Sequence, residues 1–220
     1  MKNFIAIDTS AEYLTVIAKK GEKVHTVFEE NCAMQHSVRL MDAVEEAASA
    51  AGLLPRECDF FCAAVGPGSF TGIRIGISAV KGLCAAAQKP ALGVTSFAAL
   101  AYNAKEKALS VIPAGRGDYY VCGYGEDKRI LLAPMVVNEA ALAALAAEYT
   151  VYARHPLSVP YRKADPAAGL LAAAESAREE DFGPLAALYI KKSQAEAELD
   201  KKLGLSGQKE TGSLSPREKG

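Results

Sequence analysis

The chain has 220 residues, half of them apolar, and a formal net charge of −1; that length can bury a sizeable core in one large or two small domains. Such a balance excludes a bulk field able to hold a nucleic acid, because neutralising phosphates takes a clustered excess of Lys and Arg. The five cysteines, Cys32, Cys58, Cys62, Cys84 and Cys122, form an odd set without a CxxC pair, and they read as reduced packing thiols rather than a disulfide frame or zinc site. The first apolar run meets Asp8 too soon for a secretory leader, and no later stretch is expected to reach the length of a membrane span. The expected location is the cytoplasm.

In chain order, "NFIAIDT", "YLTVIAK" and "KVHTVFEE" are rich in β-branched and aromatic residues and separated by turn residues, which predicts an antiparallel meander. "QHSVRLMDAVEEAASAAGL" spaces Val38, Met41, Val44, Ala48 and Ala51 three or four apart, predicting an amphipathic helix closed near Gly52. "DFFCAAV" suits a strand buried on both faces. A glycine-rich loop, a helix to about Gln88, a short strand "ALGV" and a helix from Ser96 follow. The second half offers three strands ("LSVIPA", "DYYVCGY", "RILLAPMVV"), a helix ("NEAALAALAAEY"), a strand ("TVYAR") and a helix ("DPAAGLLAAAESARE"). Three strands, helix, strand, helix thus occur twice, the order of a duplicated α/β fold. The C-terminal stretch is polar and lacks aromatics, as a flexible tail would.

The loop "GPGSFTGIRIG" (66–76) invites comparison with phosphate cradles. Its third glycine stands one place late for a dinucleotide fingerprint, no acid follows before Lys105, and no Gly-Lys-Ser/Thr triplet completes a P-loop. Two readings stay open. The loop leaves a buried strand for a helix N-terminus with Arg74 close by, which favours an anion; Asp8, Thr9, Ser10, Gly66 and Gly68 are then candidate cofactor contacts. Alternatively, Pro67-Gly68 makes a tight turn, Ser69 or Thr71 caps the helix, and Gly72 permits close backbone approach. Beyond it, Gly72, Gly76, Ala79 and Ala86 lie near one helical face, with Gly82 nearby, and glycines inside a helix need a packing reason. The neighbour could be the chain's own sheet or a helix of another chain. Arg74, Ser78 and Lys81 make a separate polar stripe. His25, His36 and His155 are far apart, so no metal site is expected, and neither a G-x-S-x-G nor a cysteine–histidine pairing supports hydrolysis.

"IAIDTS" (5–10), "QHSVRLM" (35–41), "GPGSFTGIRIG" (66–76) and "ALGVTSFAALA" (91–101) together resemble the TsaB (YeaZ) family. The likeness covers roughly the first 105 residues and returns at "LYIKKSQAE" (188–196), where Lys191 stands in place of the family's usual Arg. The resemblance implies an actin-like (ribonuclease H-like) α/β fold with a partner-binding lobe at 1–105, a smaller degenerate lobe at 106–196 and a tail at 197–220. It implies a non-catalytic subunit without cofactor or metal, which binds TsaD, the enzyme that transfers threonylcarbamoyl from its AMP adduct to N6 of the adenosine 3′ of the anticodon. An ATPase, TsaE, would join the pair; tRNA would be met mainly through the complex, and the lone chain could form a homodimer. Pairing would use the helices at 36–51 and 72–88, through His36, Leu40, Met41, Val44, Gly72, Arg74, Gly76, Ala79 and Lys81. The competing reading is a stand-alone actin-like ATPase or phosphotransferase built on Asp8 and the Gly66 loop. Against it, this chain has Pro113-Ala114-Gly115 where the family often has Asp-Ala-Arg, and proline carries no carboxylate for a magnesium ion.

Overall fold

The computed structural model describes residues 1–191; the tail expected from 197 lies outside the described residues. Strands β1 (Phe4–Asp8), β2 (Leu14–Lys20) and β3 (Lys23–Glu29) form the antiparallel meander, with Ile7 opposite Val16 and Val16 opposite Val27. β4 (Phe60–Ala64) and β5 (Ala91–Val94) then add in parallel beside β1, so the first sheet runs β3-β2-β1-β4-β5. The second sheet repeats that plan. Its meander is β6 (Ala108–Gly115), β7 (Asp118–Tyr124) and β8 (Ile130–Asn138), and β9 (Thr150–Ala153) and the two-residue β10 (Arg162–Lys163) add in parallel beside β6.

The topology re-pairs the helices. Element order in the sequence sets α5 (Pro166–Ser176) against α2 (Phe70–Ala87). In the sheets, β10 occupies the place of β5, so α5 corresponds to α3 (Ser96–Ala101), and the eight residues 154–161 between β9 and β10 form no helix. Sequence reasoning missed β10 because two residues carry no periodicity.

Alternation along β1 sorts the core into layers. Ile5 and Ile7 face α1 (His36–Ala51) and α2, joining Leu40, Val44, Ile73 and Val80. Phe4 and Ala6 face the other way, with Phe60, Cys62 and Leu92, onto Leu170 and Ala173 of α5. On the far side of this middle layer, Phe97 and Leu100 of α3 pack against Cys122 and Tyr124 and against Ala108 and Tyr152 of the second sheet. Its outer face, with Leu109, Val121 and Val151, is covered by Leu142 of α4 (Glu139–Ala146). α3 and α5 approach so closely that a Cβ on Gly169 would fall on the Ala99 carbonyl. After α5 the chain returns to the first sheet: Gly183 N donates to Ala91 O (3.0 Å), Leu188 N donates to Val65 O (2.7 Å), and Phe182 packs its ring 5.0 Å from that of Phe60.

Two expectations are corrected. On α1 the inward positions are His36, Leu40, Ala43, Val44, Ala47, Ala48 and Ala51, whereas Val38 and Met41, expected on the apolar face, are 72% and 52% exposed. Also, α2 is long and apolar enough by length and composition to cross a membrane, which the expectation of no such stretch had excluded; its Ile73, Ile77 and Val80 nevertheless pack into the first sheet's core. All five cysteines are free, and burial pushes the Cys58 thiol up to about 12.

Candidate functional site

At the turn after β1, the Asp8-Thr9-Ser10 segment meets Gly68, Gly72 and Gly76. Asp8 is buried, and both its carboxylate oxygens are engaged: Ser10 N donates to Oδ1 (2.7 Å) and the Tyr13 hydroxyl donates to Oδ2 (3.1 Å). Burial dominates its environment and pushes its carboxyl above the ordinary 3.8 despite these bonds. Thr9 Oγ1 donates to Gly72 O (2.7 Å), and Ser10 Oγ lies 3.0 Å from Ser96 Oγ of α3. The Ser69 amide donates to Ser10 O (2.6 Å), while the Ser69 side chain caps α2 by accepting from Gly72 N (3.2 Å).

These bonds explain the glycines. A Cβ on Gly68 would fall on the Ser10 carbonyl, one on Gly72 on the Thr9 carbonyl, and one on Gly76 only 2.6 Å from Thr9 Oγ1. The close neighbour that the glycine spacing demanded is therefore the chain's own β1–β2 turn. Gly82 has open space around it and Ala86 is exposed, so the small-residue stripe divides into a packed half and a free half.

Beside this turn lies the cleft between the sheets. Its base, against Ser10, Pro67, Ser96, Val111, Ile112 and Pro113, encloses about 50 Å³, and its mouth, reaching Glu12, Ser69, Tyr120 and His155, about 310 Å³. Small-molecule sites run from roughly 300 to 1,000 Å³; Arg154 lines the base of this cleft, and no Lys or Arg lines its mouth. Asp8, the acid on which the competing ATPase reading rests, is engaged within its own turn, and among the described residues no three His, Cys, Asp or Glu side chains gather at one point.

Arg154, just past β9, closes one side of the cleft. It pairs with Glu12 (3.2 Å) and Glu30 (3.0 Å) and lies over the rings of Tyr13 (4.7 Å) and Phe28 (5.1 Å), while His155 Nε2 stands 3.3 Å from Glu12. For Glu12, burial alone would raise the carboxyl; backbone and Arg154 hydrogen bonds with the charges of His155 and Arg154 prevail and bring it below 4.5. This latch gave no local sequence signal, since its members lie 142 and 124 positions apart.

On the opposite face of the first sheet, α1 and α2 border an open groove of about 680 Å³, lined by Ser37, Leu40, Met41, Phe70, Arg74 and Ile75 among others. Of the expected pairing residues, Met41, Arg74 and Lys81 are exposed and Ala79 is half-buried, while His36, Leu40, Val44, Gly72 and Gly76 are buried beneath them. His36 is a packing residue: its Nε2 donates to Tyr13 O (2.9 Å). The Arg74 guanidinium lies 3.9 Å over the Phe70 ring, and its Nε donates to the Tyr189 hydroxyl (3.1 Å).

Two sheets of one topology sharing a helical middle layer define a duplicated, actin-like α/β protein. A model of the family described as "TsaD: tRNA N6-adenosine threonylcarbamoyltransferase" matches residues 13–195. The chain belongs to that family, and within it its relatives are the TsaB (YeaZ) proteins. A TsaB of Escherichia coli is 31% identical over 149 residues, covering 61% of this chain and 64% of its own; one of Bacillus subtilis is 31% identical over 143 residues, covering 64% and 62%. The matched region thus spans less than two thirds of these relatives. The solved structure of YeaZ from Pseudomonas aeruginosa is 27% identical with a TM-score of 0.69, covering 80% of this chain and 91% of its own. A second structure, titled as an uncharacterised protein similar to peptidase YEAZ, shares the fold at 24% identity, with a TM-score of 0.73 over 87% of this chain and all of its own.

Proposed function

We propose that this protein is a TsaB-type accessory subunit: it binds a TsaD-type transferase through the α1–α2 face and activates it, and the partner carries out threonylcarbamoyl transfer to tRNA. The observation that carries this reading is the outward apolar groove between two long helices, with Val38 and Met41 turned to solvent. Such side chains on adjacent helices are what a stable interface burying about 1,200–2,000 Å² draws on. The names of the matched relatives, "tRNA threonylcarbamoyladenosine biosynthesis protein TsaB", support the pathway. Engagement of Asp8 within its own turn and the narrow cleft support a contribution through binding rather than chemistry.

In this reading Met41, Arg74, Ala79 and Lys81 touch the partner, and the buried His36, Leu40, Val44, Gly72 and Gly76 set the helices beneath them. Residues 1–105 form the partner lobe and 106–196 its degenerate copy. The complex works in the cytoplasm, a TsaE-type ATPase joins it, tRNA is met through the assembly, and a second copy covers the groove when the partner is absent.

The test is threonylcarbamoyladenosine formation on unmodified tRNA with purified TsaD, TsaE, ATP and threonylcarbamoyl-AMP, with and without this chain. Product should require the chain, the chain alone should make none, and Met41→Asp should cut the rate at least tenfold at unchanged Tm. A TsaD equally active without it overturns the reading; a one-to-one magnesium-ATP isotherm for the lone chain would instead favour a stand-alone ATPase.

A further inference from the structure

Residues 182–190 belong to no helix or sheet strand, yet they are fixed along their length. Gly183 and Leu188 donate backbone hydrogen bonds to Ala91 and Val65, Leu185 is buried, and Leu188 and Ile190 pack against the cluster of Phe97 and Tyr124. Where this strap crosses the loop before α2, the chain has made room: Gly66 has φ +97°, and a Cβ there would meet Leu188 O at 3.0 Å and Ile73 Cδ1 at 2.6 Å.

Its last turn outward delivers Tyr189 to the docking face. The ring stacks on Phe70 (centroids 4.5 Å apart, planes at 26°), and its hydroxyl accepts from Arg74 Nε, 115 positions away. Phe70 in turn supports the Arg74 guanidinium, so an exposed, long side chain is held from below by one ring and from the side by one hydroxyl. Ordering such a side chain is ordinarily a cost met at the moment of binding; here it is met by the strap beforehand. With Nε committed to Tyr189, the planar guanidinium fork of Arg74 borders the groove lined by Phe70, Ile75 and Ala79. A planar fork of that kind matches a carboxylate in bidentate fashion.

We propose that the 182–190 strap is a positioning element of the docking face, with Tyr189 holding Phe70 and Arg74 in the orientation in which Arg74 takes a carboxylate of the docked partner. This rests on the docking reading above and extends it to the chemistry of the contact and to a residue distant from both helices in sequence. The face is assembled from three segments, and its charged anchor answers to the third.

The experiment uses the full chain and purified TsaD. Amide hydrogen exchange of the lone protein should quicken about tenfold over 66–74 in Tyr189→Ala, with the β6–β7 hairpin unchanged. The Kd for TsaD should rise about tenfold in Tyr189→Ala and a few-fold in Tyr189→Phe, which keeps the ring and loses the acceptor. Arg74→Ala should weaken binding as much as Tyr189→Ala, and the double variant should be little worse than either, since the two act as one unit. Unchanged exchange over 66–74, or losses that simply add, overturn the proposal. Wild-type binding that survives Tyr189→Ala undiminished also overturns it while leaving the docking reading intact. A wild-type chain that does not bind TsaD at all removes both.

Discussion

The two sheets share one topology and have diverged in everything attached to it. The first keeps two long helices on its outer face, of 16 and 18 residues, and a polar turn after its central strand in which Asp8, Thr9 and Ser10 are all hydrogen-bonded. The second covers its outer face with the 8-residue α4, crosses from β9 to β10 without a helix, and near the end of its corresponding strand, β6, presents Pro113 to the cleft. Strand pairing has therefore preserved the architecture where helices and turn chemistry were free to change. The helix present on one copy and missing from the other lies on the α1–α2 face, the face assigned to the partner in the function proposed above.

The contrast can be pressed at four places. Gly72→Ala forces a Cβ onto the Thr9 carbonyl and should cost about 3 kcal/mol by overpacking the hub of the first copy; a thermal melt within a degree of wild type would show that the turn yields. Next comes Asp8→Ala, which strands the Ser10 amide and the Tyr13 hydroxyl and should cost about 2 kcal/mol. Asp8→Asn, able to accept from Ser10, should instead match or exceed wild type at neutral pH. The sign follows from burial: a carboxyl raised above 3.8 in the folded state contributes fully when protonated and loses that contribution as pH rises through its folded value. The Asn advantage should therefore shrink on acidification, which denaturant melts at several pH values can check.

Arg154→Ala breaks the latch between the copies and should cost on the order of 1–2 kcal/mol, because it leaves the half-buried Glu12 facing only His155 and uncovers two rings. Glu12, lowered below 4.5, stabilises the fold above that pH and loses the effect as pH falls through its folded value. The variant should flatten this acid-side slope. Smallest is Gly82→Ala, at a helical position with nothing within 4 Å, which should gain about 1 kcal/mol by propensity alone. Loss of partner binding in that variant, at raised Tm, would extend the docking face further along α2.

The strands and long helices were legible because their signals are local. The β-branched meander, the unbroken apolar run of β4 and the three- and four-residue spacing in α1 all describe burial written into each segment's own pattern of apolar residues. The exact face of α1 was less so, since Val38 and Met41 satisfy helical periodicity yet lie on the solvent side of the buried stripe. Contacts between distant segments left no trace: Tyr13 looks like any strand aromatic, Arg154 like any charge at a strand end, and Tyr189 gains its role only because the chain doubles back over Gly66. The glycine-rich loop was readable as a place of close approach, but its neighbour, the Thr9 and Ser10 carbonyls, emerged only from the tertiary fold.

The middle layer has a consequence for synthesis on the ribosome. Phe4, Phe60 and Leu92 of the first sheet wait for Leu170 and Ala173 of α5 to cover them, and β5 waits longer still for the residues around Phe182. The nascent first half therefore leaves the exit tunnel with a sticky underside that only the second half can seal. A stop codon before the end of α5 should leave that apolar sheet face uncovered and yield an insoluble fragment.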